Sequence, residues 1–184
     1  MNILFRSLFL ILFYFSISPI LGATEKEDLF EAVNDGNISK LEEILTKGVN
    51  ANLKDRKGQT ALMLASTDNN IEIMKMLLDA GADVNTKNPD DGTTALILAS
   101  AYGHTKAIEI LLENQALINA KDKEGKTALM YAVSYLRNDA VKLLLQKKAN
   151  IDARSVGDET AYSIALKSGN ADIINLIKDA GGKN

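Results

Sequence analysis

The chain has 184 residues, 46% of them hydrophobic and 24% charged, with a net charge of −3. That balance excludes a basic nucleic-acid binder or a polybasic lipid-surface protein, which need clustered positive charge. Without cysteine and with a single histidine, the chain also lacks the means for a disulfide framework, a thiol dyad or a Cys/His zinc site.

The first segment stands apart in composition. One positive charge, Arg6, precedes an almost unbroken Leu, Ile, Phe and Tyr run from Ser7 to Ile17, then Pro19 and the small-residue end Leu21-Gly22-Ala23. This order predicts a secretory signal peptide over 1–23, cleaved after Ala23. The competing reading is a membrane anchor, but Ser7 to Ala23 is interrupted by Pro19 and falls short of the roughly 20 apolar residues that a span needs. Removing the leader takes Arg6 and none of the 24 acidic residues, so the charge moves from −3 to −4. The expected mature chain, 24–184, suits one domain, exported to a bacterial periplasm or to the medium.

From Gly58 onward the sequence repeats itself. "GQTALMLA" returns as "GTTALILA", "GKTALMYA" and "DETAYSIA", placing threonines at 60, 94, 127 and 160, a period of 33 or 34 residues. A fixed period in this range marks a stacked-repeat architecture. Within each period the threonine precedes an apolar run, where its hydroxyl can accept from the free amides of a helix start. A polar break such as Asp68-Asn69-Asn70 follows, then a second apolar-periodic stretch, Ile71 to Leu78, closed by Gly81. Each unit is therefore expected to be a helix hairpin. Asp83-Val84-Asn85, Leu117-Ile118-Asn119 and Asn150-Ile151-Asp152 read as extended arms that lead to tight tips turning on Gly92, Gly125 and Gly157.

These residues resemble the ankyrin repeat, whose pattern runs D-x-x-G-x-T-P-L-H-x-A, two antiparallel helices, then G-A-D-V-N. Asp55, Gly58, Thr60, Leu62, Ala65 and the tail Gly81 to Asn85 carry the match. The similarity spans about residues 25 to 184. It implies an all-α solenoid of five helix-turn-helix units with short hairpin-like turn tips: an N-terminal cap, 24–54; interior units 55–87, 88–121 and 122–154; and a C-terminal cap, 155–184. The alanine of the helix-to-helix contact falls at Ala32, Ala65, Ala99, Ala132 and Ala165, and the one extra residue lies in the tip Asn88-Pro89-Asp90-Asp91.

Charge replaces core in the end units. Glu31 stands where Leu64, Leu98 and Tyr131 recur, Glu43 where Met76, Ile110 and Leu143 do, and Lys178 where Leu78, Leu112 and Leu145 do. Polar outer faces are what a solenoid requires at its ends, so the stack is expected to be closed and monomeric. Two departures from the family follow. Thr-Pro-Leu-His becomes Thr-Ala-Leu-Met, Thr-Ala-Leu-Ile or Thr-Ala-Tyr-Ser, which removes the Thr to His hydrogen bond. Gln115 and Lys148 stand where Gly48, Gly81 and Gly181 close a helix, so the third and fourth units are expected to be softer.

No catalytic grouping emerges. His104 lies in Tyr102-Gly103-His104, the polar break between two helices. The adjacent carboxylates Asp90-Asp91, Glu42-Glu43 and Asp158-Glu159 cannot face each other across a cleft as an acid and base must. Asn88 to Gly92 lacks the closing Glu of a calcium loop, and neither a Gly-x-Ser-x-Gly element nor a phosphate loop is present. No enzymatic activity, cofactor, metal or nucleic acid is expected, nor stable membrane insertion after cleavage. The resemblance implies instead a protein partner gripped by the tips and the exposed side of the first helices, along the concave face. Carried over by position, that face comprises Arg56, Lys57, Gln59, Thr67 and Asp68; Asp90, Asp91, Thr93, Ala101 and Tyr102; Lys123, Glu124, Lys126, Ser134 and Tyr135; and then Val156 and Lys167. An accessory or inhibitory subunit of an exported enzyme is the alternative function, and a hydrolase on a repeat scaffold a third.

Overall fold

The computed structural model describes residues 24–183; the expected signal peptide, 1–23, lies outside them. Among the described residues ten helices follow one another in pairs. The first, α1, covers 24–34, and α2 spans Ile38–Thr46. Then come α3 (Ala61–Thr67) and α4 (Ile71–Asp79), α5 (Ala95–Tyr102) and α6 (Thr105–Glu113), α7 (Ala128–Ser134) and α8 (Asn138–Gln146), and α9 (Ala161–Ser168) and α10 (Ala171–Asp179). None is long and apolar enough to cross a membrane.

The threonines do what their position requires. Thr60, Thr94, Thr127 and Thr160 are extended N-caps whose hydroxyls accept from the amide three residues on, at 3.3, 3.3, 3.4 and 3.1 Å. The missing histidine is partly replaced. The Thr60 amide donates to the Met63 sulfur at 3.5 Å and the Thr160 amide to the Ser163 hydroxyl at 2.9 Å.

First helices stack in one column, α3 on α5, α5 on α7 and α7 on α9; second helices stack in another, α2 through α10. The five register alanines are all at most 1% exposed, because any larger side chain there would hold the two helices of a unit apart. Leu62, Leu96 and Leu129, with Met74, Ile108 and Val141, fill the core between units. Glu31, Glu43 and Lys178 are exposed, as the capping argument requires.

Backbone-directed ties run from unit to unit outside the core. The ammonium groups of Lys54, Lys87 and Lys121 donate to the carbonyls of Lys87, Lys121 and Arg154, at 3.0, 2.6 and 2.9 Å. On Asn52, one amide side chain both donates to Gly81 O and accepts from Asp83 N; Asn85 repeats this on Gln115 and Leu117.

Two expectations are corrected. The arms expected to be extended are turns: Asp83 accepts from Asn85 N at its carboxylate, 2.9 Å, and from Thr86 N at its carbonyl, 3.2 Å. An Asp or Asn side chain that bonds the backbone two residues on closes such a turn, and this outweighs the β preference of Val84. The last tip turns on Asp158, with φ 60°, in register with Gly58, Gly92 and Gly125, and not on Gly157.

The helix-closing positions are left-handed as expected, with φ 67° at Gln115 and 64° at Lys148. Leu136 joins them unexpectedly at 55°. The fourth unit also holds a buried polar atom with no partner among the described residues, Asn138 Oδ1. An unmet acceptor costs about 1–3 kcal/mol and a left-handed residue with a Cβ about 1–2 kcal/mol, so three such costs collect in this unit.

Candidate partner-binding face

The turn tips form one continuous row because each is hydrogen-bonded to the next. Asn88 Nδ2 donates to Lys57 O at 3.0 Å, Lys123 N to Asp91 O at 2.8 Å, and Val156 N to Glu124 O at 2.7 Å. Here glycine is needed for close approach: a Cβ on Gly92 would lie 2.8 Å from Lys123 N, and one on Gly125 2.9 Å from Val156 N. The tips thus bring together Lys57, Asp91, Lys123 and Glu124 from three units.

A second row runs along the C-terminal ends of the first helices. His104 Nε2 lies 2.9 Å from Thr67 O, so that nitrogen carries the donated proton, and its ring stacks on Tyr102 with centroids 5.9 Å apart. One unit on, Arg137 Nε donates to Ala101 O at 2.9 Å. Tyr102 and Tyr135 stand out of this row, 52% and 54% exposed. Ser134 and Asp68 are exposed beside them, while Thr67 is half-buried, with its hydroxyl donating to Met63 O.

Tyr131 joins the two rows. Expected in the core, it is half-buried, donates its hydroxyl to Asp122 Oδ2 at 2.7 Å in the tip, and lays its ring on Tyr135 with centroids 6.3 Å apart. Burial, and then the bond to the Asp122 carboxylate, push its phenol well above the ordinary value. Leu64 and Leu98, its register equivalents, are half-buried too. Their placement was readable, since Leu64, Leu98 and Tyr131 precede Asp68, Tyr102 and Tyr135 by four residues and share a helix face with them. Tyr162 is half-buried too, packed against the core.

The remaining face residues divide between structure and surface. Thr93 is buried, with both its amide and hydroxyl donated to Asp91 Oδ1 at 2.8 and 2.7 Å, so it shapes the tip from inside. Gln59 is half-buried and its backbone closes the second unit's tip on Asp55. Lys126 pairs with Glu124 at 2.9 Å, and this hydrogen bond raises the lysine above its usual range. Lys167 pairs with Glu159 at 2.6 Å. Arg56, Lys57 and Asp90 are exposed, with side chains that meet no partner among the described residues. An open cleft of about 510 Å³ adjoins Arg56, lined also by Phe30, Glu31, Asn34, Asp35 and Asp55. Val156 is 80% exposed at the last tip.

Paired helices stacked in register, with hydrogen-bonded tips to one side, define a helical-repeat solenoid. Residues 29–122 and 116–184 match the family described as ankyrin repeats (3 copies), and the chain belongs to it. The curated relatives agree. A 70-residue stretch is 36% identical to the ankyrin repeat, SAM and basic leucine zipper domain-containing protein 1 of Carollia perspicillata, covering 38% of this chain and 15% of that protein. The Ovis aries counterpart is 38% identical over 63 residues, 34% of this chain and 13% of that one. A mitochondrial disaggregase of Bos taurus is 34% identical over 76 residues, 41% of this chain and 11% of that protein. The chain thus aligns with less than a sixth of each of these relatives. Ankyrin repeats are protein-interaction modules.

Proposed function

We propose that the chain is an exported, monomeric protein-binding module that grips one partner protein across the face between the tip row and the helix-end row. The observation that carries this reading is the exposure of Tyr102 and Tyr135, each about half open to solvent at corresponding positions one unit apart. Rigid aromatic side chains dominate interface hot spots because they bury large areas at low entropic cost. Export rests on the leader pattern of 1–23, and the absence of cysteine suits a module that needs no disulfide outside the cytoplasm. Face residues such as Arg56, Lys57 and Asp90, whose side chains meet no partner among the described residues, add charged contacts around the aromatic pair.

Crosslinking in intact cells tests the reading. A photoreactive group at Tyr102 or Tyr135 should capture one protein, identified by mass spectrometry, and the same group at Glu72 on α4 should not. Replacing both tyrosines by alanine should weaken binding of that protein by at least about 2 kcal/mol and leave the helical content unchanged. Equal capture from Glu72, or full binding by the double alanine variant, refutes it.

A further inference from the structure

The fourth unit presents a side chain whose placement folding does not explain. Leu136 stands in register with Gly36, Asn69, Gly103 and Gly169, adopts φ 55°, and is 48% exposed. Both properties oppose stability: the left-handed backbone disfavours a residue with a Cβ, and water disfavours an aliphatic side chain. Strain retained against such costs collects at functional sites. Tyr135 precedes Leu136 directly and Tyr102 lies one unit back, so three exposed apolar side chains gather along the helix-end row.

A fixed cation sits among them. Arg137 is held by its Nε hydrogen bond to Ala101 O, and its stem passes so close to Gly103 that a Cβ there would lie 2.9 Å from Arg137 Cδ. Its two terminal nitrogens meet no acceptor among the described residues. Three other cations of the fourth and fifth units are already engaged: Lys126 with Glu124, Arg154 with Asp158 and Lys167 with Glu159. The guanidinium is therefore positioned, flanked by apolar surface and electrostatically unmet.

We propose that Tyr102, Tyr135, Leu136 and Arg137 form one anchor for an acidic-apolar segment of a partner protein. An aliphatic or aromatic side chain of that segment packs on Leu136 and the tyrosine rings, and an adjacent carboxylate accepts from the free edge of Arg137. Charge complementarity selects the carboxylate, because a positioned guanidinium makes its strongest hydrogen bonds to an anionic oxygen. This rests on the protein-binding reading above and names the partner chemistry at one end of that face.

A display library of random linear peptides, selected on the immobilised full chain, is the probe. Enriched peptides should carry Asp or Glu next to a large apolar residue. Binding of a selected peptide should fall at least about tenfold in Leu136→Gly and in Arg137→Ala. Leu136→Gly should at the same time raise the thermal midpoint, since it relieves the backbone; a side chain with only a structural role would lower it on removal. The anchor is refuted if no peptide is enriched, if the enriched sequences lack the acidic-apolar pair, or if Leu136→Gly melts lower. Peptides that bind undiminished to both variants, yet are lost in Arg56→Ala with Lys57→Ala, also refute it while leaving the wider face intact. Crosslinking from the tyrosines judges that wider face independently of any peptide.

Discussion

Replacing Lys148 by glycine should stabilise the protein, although it deletes a side chain. Lys148 closes α8 with φ 64°, where Gly48 and Gly81 take 83° and Gly181 99°. Its amide donates to Leu145 O at 3.0 Å, a bond that glycine keeps, and its exposed ammonium meets no partner among the described residues. A residue with a Cβ loses about 1–2 kcal/mol in this conformation. Glycine gives back about 0.4–1 kcal/mol through its freer unfolded chain. At the middle of both ranges the net gain is about 0.8 kcal/mol, and for a chain of this size 1 kcal/mol moves the midpoint by about 2–4 °C. Thermal unfolding followed by circular dichroism should therefore show a rise of about 1–4 °C. Hydrogen exchange should locate the gain in the amides of α8, because stability in a solenoid is apportioned unit by unit. The reverse exchange, Gly81→Lys, should lower the midpoint at the same register position. An unchanged or lowered midpoint for Lys148→Gly would refute the strain argument, as would extra protection confined to α2 or α4.

Other consequences can be measured separately. Asn138→Ile should stabilise by about 1 kcal/mol, since it removes the unmet buried oxygen and places in α8 the residue found at the corresponding Ile38 and Ile71; a lower urea midpoint would contradict this. Tyr131 ionises less readily folded than unfolded, so its contribution is full below the ordinary 10.0 and declines as pH rises above it. Between about pH 9 and about pH 11 the wild type should lose more stability than Tyr131→Phe, and equal losses would sink the account. If export and cleavage occur as proposed, the protein isolated from its source begins at Thr24 and fractionates as soluble; Met1 on membrane-bound protein would show retention.

What could be read from the sequence was what depends on local chemistry repeated in register. The threonine caps and the alanine column were legible because a hydroxyl before an apolar run and a small side chain at a helix contact have few other uses. The half-exposed place of Tyr131 is hidden in the sequence because its register neighbours are leucines, which read as core although they only half bury; its hydroxyl bonds Asp122 nine residues earlier, a tertiary contact that no helix period contains. The left-handed backbone at Leu136 is not legible from residue type, because a leucine gives no sign of it, though counting 33 residues from Gly103 reaches it. At the last tip residue type points to Gly157 and register to Asp158, and the backbone follows register. Among the face residues, exposed Arg56, Lys57 and Tyr102 followed from the family pattern, whereas Thr93 is drawn inside by the carboxylate of Asp91 two residues before it.

The lysine ties have an evolutionary consequence. Lys54, Lys87 and Lys121 each end on a main-chain oxygen of the following unit, an acceptor that every amino acid supplies. The joint is therefore indifferent to what the next unit's side chains are. Units can be duplicated, exchanged or rewritten on their outer surface without renegotiating how they are fastened. Adhesion within the stack and recognition of other molecules are thus free to diverge at different rates.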